Sequence, residues 1–315
     1  MKKNIITIVL LSFISVFSFA QEEATDETVA KVKDYPVSAT FESGILIDAQ
    51  TVVIPEVKTL EMIIQHKFAS IEKGKSDLWG MYGAGTNIRL ALNYVPVKNL
   101  QLGVGLTKRN MTSDLNAKWS VLQQTRENTI PVSVVLYGVA GIDGRNESDI
   151  TDKVSVASPV GEINDFEFED RLSYFSQLIV GRKFNEWLSL QAGVSFSHYN
   201  LTSYQAKGKQ YDHDKIGVHF NGRIKVSPQG SLVFNYDAPL KIKDISEQHD
   251  WTDDFPHPKP SLALGYEIST GTHAFQIYMG STSSLLPQES MLWNQNEMNK
   301  KGFAVGFTIT RLWSY

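Results

Sequence analysis

From Leu60 onward, apolar residues recur at every second position. Ile88, Leu90, Leu92 and Tyr94 alternate with Arg89, Ala91 and Asn93. Leu100, Leu102, Val104 and Leu106 alternate with Gln101, Gly103, Gly105 and Thr107, and Leu115, Ala117, Trp119 and Val121 with Asn116, Lys118 and Ser120. The same rhythm returns at Ile130–Leu136, Leu188–Phe196, Ile216–Phe220, Leu232–Tyr236, Leu262–Ile268, Phe275–Met279 and Phe303–Ile309. A period of two places one residue set on each face of a strand, so each segment predicts a strand with one apolar and one small or polar face.

The connections alternate in length. Short turns are predicted at 95–99, 125–128, 185–186, 228–230 and 270–271, and longer loops at 71–85, 107–113, 141–170, 200–213, 240–259 and 283–301. A single antiparallel up-and-down transmembrane β-barrel of about twelve strands, spanning 60–315, explains this alternation. A soluble sandwich also alternates apolar and polar residues, but its loops need not alternate short and long. On this reading the short turns and both termini face the periplasm. Tyr94, Tyr266 and Trp313 then fall near the inner interface, with Tyr174 and Tyr236 near the outer one, where amphipathic rings prefer to sit. Arg311 is expected on the lipid-facing side, close enough to the interface to snorkel.

Composition narrows the class. No run after the N-terminus is apolar for the roughly 20 residues a membrane helix needs, so a membrane-spanning form must be a closed barrel. The first 20 residues read as a signal peptide: Lys2 and Lys3, an apolar core from Ile5 to Phe19, and Ser18-Phe19-Ala20 before the cut. Residues 21–59 read as a periplasmic leader and a segment packed at the barrel mouth. Cysteine is absent, which excludes disulfides, thiolate metal sites and lipid anchoring. Loss of the two signal lysines takes the formal charge from −4 to −6, which argues against nucleic acid as a partner.

Parity assigns the charged residues that would line the lumen: Glu61, Lys67, Arg89, Lys118, His219, Arg223, Lys225, Asp237 and Glu267. Cations outnumber anions, which suits either a pore for small polar or anionic solutes or a salt-bridged interior that conducts little. His249, Asp253, Asp254 and His257 bring metal-ligating side chains into one loop, at a spacing that matches no specific motif. An outer-membrane hydrolase is a distant third reading. His198 falls on the lipid-facing parity while Ser195 and Ser197 point the other way, and no Gly-x-Ser-x-Gly elbow occurs. Lys73-Gly74-Lys75-Ser76 lacks the leading glycine of a phosphate loop. No catalytic residue and no cofactor is expected.

The stretch from Phe41 to Phe68 carries Leu46-Ile47-Asp48 and then Gln65-His66-Lys67-Phe68. It resembles the entry of a family of Gram-negative membrane-bound β-barrel proteins of unknown function, with Ala69 standing where that family usually has glycine. The resemblance implies a barrel in the outer membrane and implies no substrate. The functional expectation is a porin-like small-solute channel; the alternative is a structural or docking barrel that binds a partner through acidic outer loops or the leader. The expected partners are outer-membrane lipid and the barrel insertion machinery, the latter reached through the C-terminal strand.

Overall fold

The computed structural model describes residues 34–155, 166–202, 204–205, 209–210, 212–247, 249–252, 256–299 and 302–315. The expected signal peptide and most of the leader lie outside the described residues. Twelve antiparallel strands close into one barrel. They are β1 (Thr59–Ser70), β2 (Asn87–Val97), β3 (Leu100–Thr107), β4 (Thr112–Leu122), β5 (Ser133–Ile142), β6 (Leu172–Lys183), β7 (Leu188–Tyr199), β8 (Asp214–Lys225), β9 (Gly230–Pro239), β10 (Ser261–Ser269), β11 (His273–Gly280) and β12 (Ala304–Ser314). Each strand pairs with its sequence neighbours, and β12 closes on β1 with Thr310 opposite Ile63 and Trp313 opposite Leu60. Two short helices, α1 (Glu147–Ser155) and α2 (Pro287–Trp293), stand in loops at the same end of the barrel.

The wall is inside-out relative to a soluble protein. Ile277 is 67% exposed and Leu106 65%, whereas Glu61 and Lys118 are each 1% exposed. A belt of exposed apolar side chains around a closed sheet has no stable place in water and fits hydrocarbon. Arg311 faces outward with its guanidinium over the Trp313 ring, 4.7 Å from the centroid.

Two connections depart from the predicted alternation. Residues 108–111 make a tight link between β3 and β4 where a longer loop is expected, with Asn110 and Met111 both at positive φ. Residues 123–132 make a longer link than the expected 125–128 turn. The reason is local pairing: Thr125 N bonds Ile130 O, and Pro36 bridges Thr125, so the link is tied to itself and to the start of the described chain.

The larger departure concerns residues 41–53, expected to pack at the mouth. They enter the barrel. Ile45–Leu46 and Ala49–Gln50 form a miniature hairpin with Ile47 at positive φ, and Phe41, Ile45, Leu46, Ile47 and Val52 are all buried. The hairpin's backbone groups need partners, and the polar inner face of the wall supplies them.

Candidate functional site

The inner face begins with β1, whose odd-numbered residues from Thr59 to Ala69 all point inward. Near the short-turn end, Glu61 accepts hydrogen bonds from Asn93 Nδ2 (3.0 Å) and Gln101 Nε2 (2.8 Å). Lys118 donates to the backbone carbonyls of Gly44 (2.8 Å) and Val53 (3.2 Å) on the inserted segment. The backbone at Gly44 passes close to the wall, and a Cβ there would lie 2.9 Å from Glu61 Oε1.

Further along the lumen the wall grips the segment again. Lys67 pairs with Asp48 and also donates to Ser284 O at 2.8 Å. Arg223 pairs with Glu42 and donates to Ala39 O at 2.9 Å. Gln276 donates to Ile45 O (3.0 Å), Thr308 to Ile47 O (2.9 Å) and Gln191 to Gln50 O (2.7 Å). Arg89 instead finds its partner within the wall, making a two-pronged pair with Asp114 at 2.7 and 3.0 Å. Glu267 accepts from Gln276 at 2.7 Å, and Lys225 is half-buried at the end of β8.

The inserted segment also joins an apolar cluster that includes Val233, Ala263 and Tyr278 on β9 to β11. Val135, Tyr137 and Val139 on β5 and Phe175 and Ile179 on β6 pack against Phe41, Leu46, Ile47 and Val52. The sequence signal was present: Val134 to Tyr137 is apolar on both parities, the mark of a strand buried on both faces.

From the long-loop end, residues 281–294 fold into the barrel. α2 buries Gln288 through Leu292, and Arg109 holds it through Glu289 at 2.9 Å. Between α2 and the inserted hairpin, bordered by Gln65, Arg89, Gln177, His219 and Asp237, remains a cavity of about 30 Å³. That is room for one water molecule. Gly181, Gly217 and Gly141 leave room for the inserted Val52, Met291 and Gln288, while Gly103 and Gly105 leave room for polar side chains of the wall itself. Outside this constriction lies a vestibule of about 240 Å³ between Tyr199, Trp293, Arg145 and Arg171.

Three further inward residues meet across adjacent strands. Ser195 Oγ on β7 lies 2.7 Å from His219 Nε2 on β8, and His219 Nδ1 lies 2.7 Å from Asp237 Oδ1 on β9. Parity puts each of them on the inner face. Their meeting depends on strand register, which a single sequence does not reveal. His198 lies on the other side of the wall, bonded through Nδ1 to Asp214 at 2.7 Å.

The four candidate metal ligands are not assembled among the described residues. Asp253 and Asp254 lie outside them. His249 is exposed, and both ring nitrogens of His257 face backbone carbonyls, of Pro258 at 2.8 Å and Leu240 at 3.2 Å. Burial, with Lys215 nearby, holds the His257 imidazole below its ordinary pKa.

A family model described as "Membrane bound beta barrel domain (DUF5777)" matches residues 41–313. The chain belongs to this family. The match starts at Phe41, so the family domain includes the inserted segment as well as the wall. No curated protein matches the chain. Among solved structures, an outer membrane channel from Pseudomonas putida F1 is similar at 12% identity and TM-score 0.48, covering 83% of this chain and 97% of that one. The NanC porin is similar at 6% identity and TM-score 0.44, covering 81% and 99%. LpxR from Salmonella typhimurium is similar at 11% identity and TM-score 0.36, covering 82% and 100%. Likeness at this level carries nothing about activity.

Proposed function

We propose that the protein is a gated channel of the outer membrane for small polar solutes, closed by its own residues 41–53, with the short turns on the periplasmic side. One observation carries this reading. Two cations of the wall, Lys67 and Arg223, have their carboxylate partners on the inserted segment, at Asp48 and Glu42. Withdrawal of the segment leaves a polar lumen with unneutralised positive charge, suited to water and to anionic solutes. A barrel built only as a scaffold has no need to divide its ion pairs between wall and plug.

The test is conductance of the purified full-length barrel in planar bilayers. The wild type is expected to be mostly closed with rare openings. Glu42→Gln combined with Asp48→Asn removes both carboxylates and is expected to raise open probability about tenfold or more, with anions preferred. Heat-modifiable migration on gels checks that both forms are folded. A folded double variant that stays closed at every voltage would favour the non-conducting docking barrel.

A further inference from the structure

We propose that Ser195, His219 and Asp237 form an activated-serine site inside the barrel that cleaves small carboxylic esters. The geometry is that of a nucleophile, a base and an orienting carboxylate in series. Asp237 can only accept, so the proton on the facing nitrogen of neutral His219 sits on Nδ1. That leaves the Nε2 lone pair to accept the Ser195 hydroxyl at 2.7 Å, the arrangement that draws off the proton as Oγ attacks.

Three features go beyond a buried histidine that has merely found partners. The first is the opening across the sheet. Ser195 is paired with Gly217, and His219 with Gly193, so both positions flanking the serine–histidine diagonal lack side chains. A Cβ on Gly217 would lie 2.8 Å from Ser195 Oγ and 3.3 Å from His219 Nε2. The second is an idle donor. Gln177 stands opposite Ser195 on β6, is 7% exposed, and has no side-chain hydrogen-bond partner among the described residues. Its amide lies over Gly193, with Nε2 3.1 Å from where a Cβ would stand, and borders the one-water cavity beside His219. Turned toward Ser195 Oγ, that amide supplies an N–H for an oxyanion. The third is the roof. Met291 of α2 lies over Gly217, its Sδ 2.5 Å from the position a Cβ would take. The cover is a thioether on a seven-residue loop helix, while the other walls are strands of the closed sheet.

The chemistry is ordinary acyl transfer. Ser195 Oγ bonds to the ester carbonyl carbon, and its proton passes to His219 Nε2. The carbon–oxygen bond to the alcohol breaks, and the alcohol leaves with that proton. Water then attacks the acyl carbon, giving a proton to His219, which returns it to Ser195 Oγ as the carboxylic acid departs. The space under α2 holds about one water molecule, so an ester reaches Ser195 only as Met291 and α2 shift aside, and a short acyl chain asks the smallest shift.

The full-length folded barrel is treated with a fluorophosphonate, which forms a bond from Ser195 Oγ to phosphorus and releases fluoride, and the modified residue is located by mass spectrometry. Labelling at Ser195 is expected in the wild type, absent in Ser195→Ala, slowed about 100-fold or more in His219→Gln, and unchanged in Ser197→Ala. Met291→Ala lifts the cover and is expected to speed labelling. Hydrolysis of 4-nitrophenyl acetate is expected to follow the same ranking. The proposal is overturned if neither wild type nor Met291→Ala is labelled at Ser195 while both retain heat-modifiable migration. Labelling indifferent to His219→Gln, or labelling with no acetate hydrolysis, overturns it equally. Conduction plays no part in these readouts.

Discussion

At the level of single residues, the interior is held by charged side chains that each meet named partners on the wall or the inserted chain. Lys67 is 1% exposed and meets Asp48 and the carbonyl of Ser284, so it ties the wall both to the inserted segment and to the loop carrying α2. Lys67→Met removes the cation and leaves the Asp48 carboxylate in a closed space without its charge partner. The expected loss of stability is about 3–5 kcal/mol, most of it the cost of the stranded carboxylate rather than the worth of the pair. The double variant Lys67→Met with Asp48→Leu is expected to recover most of that loss, because an apolar pair strands no charge. Urea titration of folding into detergent micelles, read by tryptophan fluorescence, measures both. A double variant as unstable as the single one would show that the Ser284 contact, and not the ion pair, is what Lys67 provides.

Among the elements, β12 faces the largest demand. Its neighbours lie far apart in sequence: β11 by a long loop, and β1 across almost the whole chain. Trp313 and Ser314 pair with Leu60 and Thr59, and Tyr315 N reaches Lys58 O at 3.3 Å. Deleting Trp313 to Tyr315 strips the β12-facing edge of β1 at Thr59 and Leu60 of its partners, removes two interface aromatics and shortens the closing seam next to hydrocarbon, where an unpaired backbone group costs several kcal/mol. The truncated chain is expected to be lost from the outer membrane, while Tyr315→Phe, which keeps the ring and the backbone, is tolerated. The amount of folded protein in membrane fractions decides this, and normal levels of the truncated form would sink it. Strands such as β12 were legible because outward residues answer to one rule, hydrophobicity at every second place. Inner residues answer to their partners. Nothing in Gly217 says that Met291 lies above it, and nothing in Ser195 says that register brings His219 to its hydroxyl. The residues of the inner face were readable by parity, but what they touch was not.

For the molecule as a whole, the question is whether the inserted segment is a fixed core or a removable one. Its contacts are of both kinds. Phe41, Leu46, Ile47 and Val52 pack in the apolar cluster of the lumen, and burial of such side chains contributes about 1.5–3 kcal/mol each. Ile45 adds a second apolar contact with Ile63 and Ala91, and the polar contacts of the segment are hydrogen bonds and ion pairs to wall side chains, which water can replace at small net cost. On the proposed channel reading the segment leaves and returns without unfolding the wall, whose own strands pair all round. The chain supplies a clean means of testing this, because it contains no cysteine. A Cβ on Gly181 of β6 would lie 2.8 and 2.9 Å from the two γ-carbons of Val52, close enough for a disulfide between residues 52 and 181. Val52→Cys with Gly181→Cys, added to the Glu42→Gln and Asp48→Asn background, is expected to be silent in bilayers when oxidised and to regain openings on reduction. The same barrel is thereby its own control, since reductant alters nothing else in a chain without other thiols. Openings that persist with the disulfide formed, verified by mass, would mean that solute passes by a route other than the one residues 41–53 occupy.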